Sequence, residues 1–346
     1  MPGERLTAPD EELLRTSGLS VHFPVRGSGS GRKQVVHALD DVSLSVRRGR
    51  TLGVVGESGS GKTTLGYAVV GHHQPTAGRI WFQGTDVTGY KGAKLRDLRR
   101  DIQMVYQDPY GSLNPRMRVE DIVAEPLVAH DRVRSGRELR LKVGELLEMC
   151  GLPLTAASRY PHAFSGGQRQ RIVIARALAL EPKLIVADEP TSALDVSVQA
   201  QIVNLLQSLQ DRLGLSYIFV SHDLAVVRRV SHEIAVMYLG RVVELGTAER
   251  IFDAPQHPYT KALLSAIPVP DPEVDWEGRE KLAGEMPSPL EPPSGCRFRT
   301  RCPIAVERCA LELPPFDEHA PGHWAACHRI GETATERVAS INEEAR

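Results

Sequence analysis

The period of apolar and polar residues changes several times along the chain. Val42, Leu44 and Val46 alternate with Ser43 and Ser45, the spacing of a half-buried strand, and residues 19–48 as a whole read as β-rich. Gly27-Ser28-Gly29-Ser30-Gly31 interrupts that stretch with a loop that is flexible by composition. Leu52-Gly53-Val54-Val55 predicts a short buried strand, with a helix from Thr63 to about Val70 after it. From about Asp108 to Gly151 the period becomes helical. Leu139, Val143, Leu146, Leu147 and Cys150 share one face, which makes Cys150 a small core residue. Ser165 caps a further helix running from Gly166 through Ile172, Ala175 and Leu178. Leu184–Asp188 and Tyr217–Val220 predict strands, and Val198, Ile202, Leu205, Leu206, Leu209 and Leu213 a helix between them. Strands alternating with helices predict an α/β fold built on a mainly parallel sheet covered on both faces. Beyond Pro255 the pattern dissolves. Pro268, Pro270, Pro272, Pro287, Pro289, Pro292 and Pro293 read as extended linker, a cysteine segment follows, and residues from about 331 read as a tail. No internal duplication is visible.

Composition narrows the possibilities. In 346 residues, 42 Lys and Arg stand against 43 Asp and Glu, so the overall charge points to no nucleic-acid partner. The Met1–Gly18 leader is polar and acidic, unlike a secretory signal, and no apolar run nears the ~20 residues of a membrane span. Any membrane work is expected to pass through a partner. Cys150 stands alone, whereas Cys296, Cys302, Cys309 and Cys327 crowd together near the end with the spacing C-x5-C-x6-C-x17-C. That distribution favours a reducing compartment and a metal-type cluster over a disulfide framework. The spacing lacks the tight pair of most zinc sites and differs from the common ferredoxin runs. Four thiols in a proline-rich, core-poor segment still suggest a staple.

Two glycine-rich anion cradles carry the chemistry. Gly56-Glu57-Ser58-Gly59-Ser60-Gly61-Lys62-Thr63, followed by Thr64, lies between a predicted strand and a predicted helix. Its backbone N–H groups can turn toward phosphate oxygens, Lys62 can bridge the outer phosphates, and Thr63 can offer a hydroxyl to magnesium. Ser165-Gly166-Gly167-Gln168-Arg169 opens the second helix with a hydroxyl, free N–H groups and a helix N-terminus at one place. This pentad suits a γ-phosphate, but it cannot also lie beside Lys62 of its own chain. Asp188 and Glu189 end a predicted strand, where one carboxylate can hold the magnesium shell and the next can face an attacking water.

Taken in order, these motifs resemble an ATP-binding cassette subunit over roughly residues 19–250. Gly56–Thr63 matches the Walker A loop, Gln107 the Q-loop, Ser165–Gln168 the signature motif with Phe164 in the usual place of Leu, and Leu184–Glu189 Walker B. Ser192-Ala193-Leu194-Asp195 matches the D-loop and Ser221-His222-Asp223 the switch histidine. The resemblance implies an ABC-type P-loop fold with an antiparallel β subdomain and an inserted helical subdomain at about 108–172. It implies that Glu189 polarises water, that His222 contacts the γ-phosphate and holds Glu189 and the D-loop in register, that Gln107 reaches the magnesium or the water and reports to the helical region, and that magnesium is held through Thr63, Gln107 and Asp188. Ser165, Gly166, Gly167, Gln168 and Asp195 would act in trans on a partner's ATP, and Phe23 is the candidate to stack on adenine.

Asp108–Arg116, His257-Pro258-Tyr259-Thr260, Gly295-Cys296-Arg297-Phe298 and Arg301-Cys302-Pro303 are further similar to ATPases of oligopeptide and dipeptide importers, a group that includes nickel importers. This implies a peripheral subunit on the cytoplasmic face of the membrane. Its partners would be a second, related ATPase, two transmembrane permease subunits and an extracytoplasmic solute-binding protein. It also implies a 4Fe–4S cluster on the four terminal cysteines. Zinc, with His319, His323 or His328 as substitute ligands, and unligated thiols remain open. The expected organisation is a tail (1–18), an ATPase domain (19–254), a C-terminal region carrying the cysteines (255–330) and a second tail (331–346). A cassette ATPase of DNA repair or translation would be expected to show a long coiled-coil insertion, a second cassette or a basic face, and none is visible. Intact Glu189 and His222 argue against an inactive cassette.

Overall fold

The computed structural model describes residues 11–26, 33–133, 135–267 and 284–331. The Gly/Ser insertion, the first three prolines of the linker and the expected second tail beyond residue 331 lie outside the described residues. The chain opens with β1 (Glu12–Arg26), β2 (Lys33–Arg47) and β3 (Thr51–Val55), then α1 (Lys62–Val69), β4 (Ala77–Phe82), β5 (Thr85–Asp86), α2 (Gly92–Asp101) and β6 (Ile102–Val105). Helices α3 (Val119–Ala129), α4 (Gly136–Met149) and α5 (Gly166–Leu178) precede β7 (Leu184–Asp188), α6 (Val196–Leu213), β8 (Ser216–Val220) and α7 (Leu224–Val230). Next come β9 (Glu233–Tyr238), β10 (Arg241–Thr247), α8 (Ala248–Asp253), α9 (Pro258–Ser265), α10 (Arg308–Leu311), β11 (Asp317–Ala320) and β12 (His323–Ala325).

Two sheets result. β2-β1-β4-β5 is antiparallel, and the larger sheet has the order β11-β12-β10-β9-β3-β8-β7-β6. Its centre, β9-β3-β8-β7-β6, is parallel, and β10, β12 and β11 extend it antiparallel. Every residue of β3, β7 and β8 is buried, as continuous apolar runs in a doubly covered parallel sheet require. Alternation then divides each strand between two cores. Leu184 and Val186 pack with Leu52, Val54 and the antiparallel sheet. Ile185 and Ala187 pack with Tyr217, Phe219 and helices α3 to α6. Cys150 is fully buried on the α4 stripe as expected, and burial pushes its thiol up to about 12.

One expectation changes. β1 begins at Glu12 and pairs with both β2 and β4, so residues 12–18 belong to the antiparallel sheet and not to a tail. The sequence hides this because Arg15, Thr16 and Ser17 break the apolar alternation. In the structure the Thr16 hydroxyl bridges Val42 O and Leu44 N–H, which makes a buried polar side chain acceptable there. The C-terminal region joins the larger sheet. β12 pairs with β10 at Glu244, Leu245 and Gly246, so the large sheet continues into it.

Candidate nucleotide site

The loop between β3 and α1 is shaped by close approaches that only glycine permits. Gly56 has φ 151°, and a Cβ there would lie 2.2 Å from Met237 O; Gly61, at φ 104°, would meet Ala38 O at 2.5 Å. The loop therefore sits against the end of β9 and the interior of β2. Inside it the Lys62 ammonium donates to Gly56 O (2.7 Å), Glu57 O (2.8 Å) and Ser60 Oγ (3.4 Å). Burial lowers the Lys62 pKa, a tendency opposed by Glu189, Asp188 and Glu57. Ser58 and Gly59 are exposed on the loop's outer side, and Thr64 lies in the first turn of α1.

Beside the loop, the Thr63 hydroxyl donates to Asp188 Oδ1 (3.2 Å) at the tip of β7. Burial raises the Asp188 pKa; the Thr63 hydroxyl and Lys62 counter it, while Glu189 adds to it. Glu189 is held from two sides. Gln107 Nε2 donates to its Oε2 (2.9 Å), and His222 Nδ1 lies 3.1 Å from its Oε1. Glu189 itself has φ 45°, a sparsely populated conformation for a non-glycine residue that its N–H bond to Val220 O (2.9 Å) helps to hold. Three motifs separated by long stretches of chain thus meet on one carboxylate.

A cavity of about 680 Å³ runs from Thr63, Gln107 and Asp188 toward Ser112, Glu125 and Arg176. It links the carboxylate end of the site with the helical region. Arg176 Nη1 donates to Ser112 O (2.7 Å) across it.

The Ser165 pentad stands apart. Ser165 caps α5 in a reciprocal box: its hydroxyl accepts from Gln168 N–H (3.4 Å) and its own N–H donates to Gln168 Oε1 (3.1 Å). Gly167 packs under α6, where an added Cβ would lie 2.3 Å from Val198 Cγ1. Gly166 faces Leu194, and Asp195 caps α6 through Val198 N–H (2.9 Å). The signature and D-loop motifs therefore form one surface. Arg169 ties that surface to the segment after Gln107, with its guanidinium 4.0 Å from the Tyr110 ring centroid. Among the described residues, no hydrogen bond or ion pair joins the pentad to the phosphate loop.

Phe23 lies opposite Val36 in the β1–β2 pair and meets the His73 ring edge-on at 5.0 Å. Sequence reasoning missed a second set of residues around the loop, all from beyond Pro255. Arg301 forms a two-pronged ion pair with Glu57 (2.6 and 3.2 Å), and Tyr259 Oη accepts the Glu57 N–H (2.8 Å). Arg297 bonds Asp40 and Leu239 O. Arg301 stands 244 positions from Glu57, and no local pattern reports such a pairing.

The four terminal cysteines share one neighbourhood. Cys296 N–H donates to Cys309 O (2.8 Å). Burial raises Cys296 to about 11 and Cys302 to about 12, and the neighbouring thiols push both the same way. Four soft donors suit iron or zinc in kind. Their placement does not complete a site: among the described residues, no group of three or more His, Cys, Asp and Glu side chains could hold a metal ion. The expected cluster is therefore not shown by the fold. The candidate histidines are engaged elsewhere, with His323 Nε2 on Glu244 (2.7 Å), His319 Nε2 on Ala325 O (3.2 Å) and His328 Nε2 on Glu312 O (3.0 Å).

Comparison with known proteins agrees with this geometry. Residues 39–192 match the family described as ABC transporter, and residues 243–309 the oligopeptide/dipeptide transporter C-terminal region. The oligopeptide transport ATP-binding protein AppF of Bacillus subtilis is 50% identical over 329 residues, covering 93% of this chain and 99% of its own. OppF of Salmonella typhimurium, another oligopeptide transport ATP-binding protein, is 50% identical over 322 residues, covering 92% and 96%. The chain belongs to this family of ABC transporter ATP-binding subunits. Among solved structures, the dimeric ATP-binding cassette MJ0796 with ADP and Pi bound is 31% identical with a TM-score of 0.61, covering 68% of this chain and 99% of its own. The subunit is an ABC-type ATPase with the P-loop fold. Among its described residues no helix is long and apolar enough to cross a membrane.

Proposed function

We propose that this ABC subunit hydrolyses ATP to drive the import of oligo- and dipeptides. It would work as a nucleotide-closed dimer with a second, related ATPase on the cytoplasmic face of two transmembrane permease subunits, with an extracytoplasmic binding protein delivering the solute. The observation that carries this reading is the Glu189 carboxylate, fixed between Gln107 and His222 next to Asp188 and Thr63. In this reading Lys62 exchanges the carbonyls of Gly56 and Glu57 for the outer phosphates. Glu189 accepts a proton from the attacking water, while Gln107 and His222 keep the carboxylate aimed. Magnesium would be held by Thr63, Asp188 and Gln107, and would neutralise charge on the phosphates. Ser165, with the N–H groups of Gly166, Gly167 and Gln168 and with Asp195, would serve the ATP of the partner subunit. Support for this division comes from the pentad's position on a surface of its own and from the dimeric state of the related cassette.

The peptide substrate is supported by the relatives' names and by the matching C-terminal family. Reconstitution with the second ATPase, the permeases and the binding protein should give ATP-driven uptake of labelled dipeptide. Glu189→Gln should retain ATP binding and slow both hydrolysis and uptake ~10²-fold or more. Nickel uptake without peptide uptake would redirect the substrate, and full hydrolysis by the variant would remove Glu189 from the mechanism. For the thiols of Cys296, Cys302, Cys309 and Cys327 the proposed ligand is a structural 4Fe–4S cluster. The shared neighbourhood of the four thiols supports a common soft-metal staple, the family resemblance is what favours iron–sulfur over zinc, and no step of hydrolysis runs through it.

A further inference from the structure

The peptide plane between Gly56 and Glu57 is held on both edges. Its carbonyl accepts from Lys62 Nζ (2.7 Å), and its N–H donates to Tyr259 Oη (2.8 Å). Glu57 is held again through its side chain, because both carboxylate oxygens bond Arg301. Both anchors are packed into the interior. Tyr259 is fully buried against Tyr238 and Phe298, with ring centroids 4.7 and 5.4 Å away, and the buried Arg301 lies over the Tyr238 ring. The same region reaches the loop again at Met286, whose Sδ lies 3.9 Å from the place a Cβ on Gly59 would occupy. It also holds β2, where His37 N–H donates to Pro289 O (3.0 Å).

We propose that Arg301 and Tyr259 are positioning residues for nucleotide: they fix the Gly56–Glu57 peptide and so set where Lys62 and the following N–H groups stand. The inference rests on the reading of Gly56–Thr63 as the ATP site. A loop rich in glycine has many conformations of similar energy, and only a few aim successive N–H groups at one phosphate. Tying one peptide plane to a buried tyrosine opposes its flipping, since a flip would take the Glu57 N–H from the buried Tyr259 hydroxyl and break the Lys62 contact together. The two-pronged guanidinium–carboxylate pair fixes direction as well as distance. Nucleotide affinity is therefore set partly by the C-terminal region, more than two hundred positions along the chain.

The test uses the full chain and a fluorescent ATP analogue such as mant-ATP. Tyr259→Phe keeps the buried ring and removes only the hydroxyl that takes the Glu57 N–H. It should raise the analogue's Kd about tenfold, and KM for ATP likewise, with kcat within twofold. Arg301→Gln and Glu57→Gln should each weaken binding by a similar factor. The double variant should bind no worse than either single one, because both act through one contact. Wild-type Kd in Tyr259→Phe, or single effects that multiply in the double variant, would overturn the proposal. A wild-type chain that bound no nucleotide would overturn the ATP reading and this inference with it.

Discussion

At His257 the local chemistry is set by burial. The ring is buried at the N-cap of α9, and its Nδ1 accepts the Tyr259 N–H (3.1 Å), so one nitrogen must stay unprotonated. Burial lowers its pKa from 6.5 to about 4, against the pull of Glu244. The sign follows from which state takes the proton first. Between pH 6.5 and 4 the unfolded chain protonates this histidine and the folded chain does not, so stability is full above 6.5 and falls as pH drops through the window. The expected loss is on the order of 3 kcal/mol. His257→Asn retains a capping acceptor without a titrating ring. Urea unfolding over that pH range should show the variant losing less stability than the wild type. Parallel pH profiles would place the slope elsewhere.

Helices α5 and α6 show how two motifs become one surface. A glycine near the start of a helix ordinarily costs stability relative to alanine, yet Gly167 leaves room for Val198 Cγ1 where a Cβ would lie at 2.3 Å. Gly166→Ala, by contrast, would meet Leu194 Cδ2 at 3.3 Å, a contact that a few tenths of an ångström relieve. Gly167→Ala should therefore cost about 1–3 kcal/mol and separate the signature from the D-loop. Adding Val198→Ala should recover most of that. Thermal melts and ATPase assays of the three variants would check the order. A Gly167→Ala protein as stable and active as the wild type would mean the helices can shift at no cost.

Across the whole molecule, the C-terminal region is integral to the ATPase. It extends the large sheet through β12, buries Glu244 against His323 and the N–H groups of Gln256 and His257, and grips the phosphate loop. Among the described residues from 284 onward, the large apolar core positions of this region are few, with Phe298, Cys309 and Ala325 buried, so a cross-link by metal would add to a small core. Protein purified without oxygen should be brown and carry about four irons per chain, and Cys302→Ser should lose both the colour and thermal stability. Stoichiometric zinc without iron, or no metal at all, would overturn the cluster.

Residue order alone determined much of this protein. Continuous apolar runs at Leu184–Asp188 and Tyr217–Val220, the helical stripe on α6 and the Ser165 cap are local patterns whose physical cause spans a few residues; the strands, the helix and the cap stand where the pattern puts them, with Ile202, Leu206 and Leu209 of the stripe buried and Leu213 exposed. The glycine spacing at Gly56–Thr63 was legible for the same reason. Contacts across the fold decided the rest. The hold of His222 on Glu189 was expected only through the family resemblance, that of Gln107 on the same carboxylate not at all, and nothing near Glu57 points to Tyr259 or Arg301. β1 was half hidden because Thr16 is satisfied by a strand 26 positions away. β12 was hidden because its partner, β10, belongs to the ATPase. Local spacing records which face of an element is apolar. Only the folded chain records which charges meet, because an ion pair or a strand register depends on distance in space and not on distance in sequence.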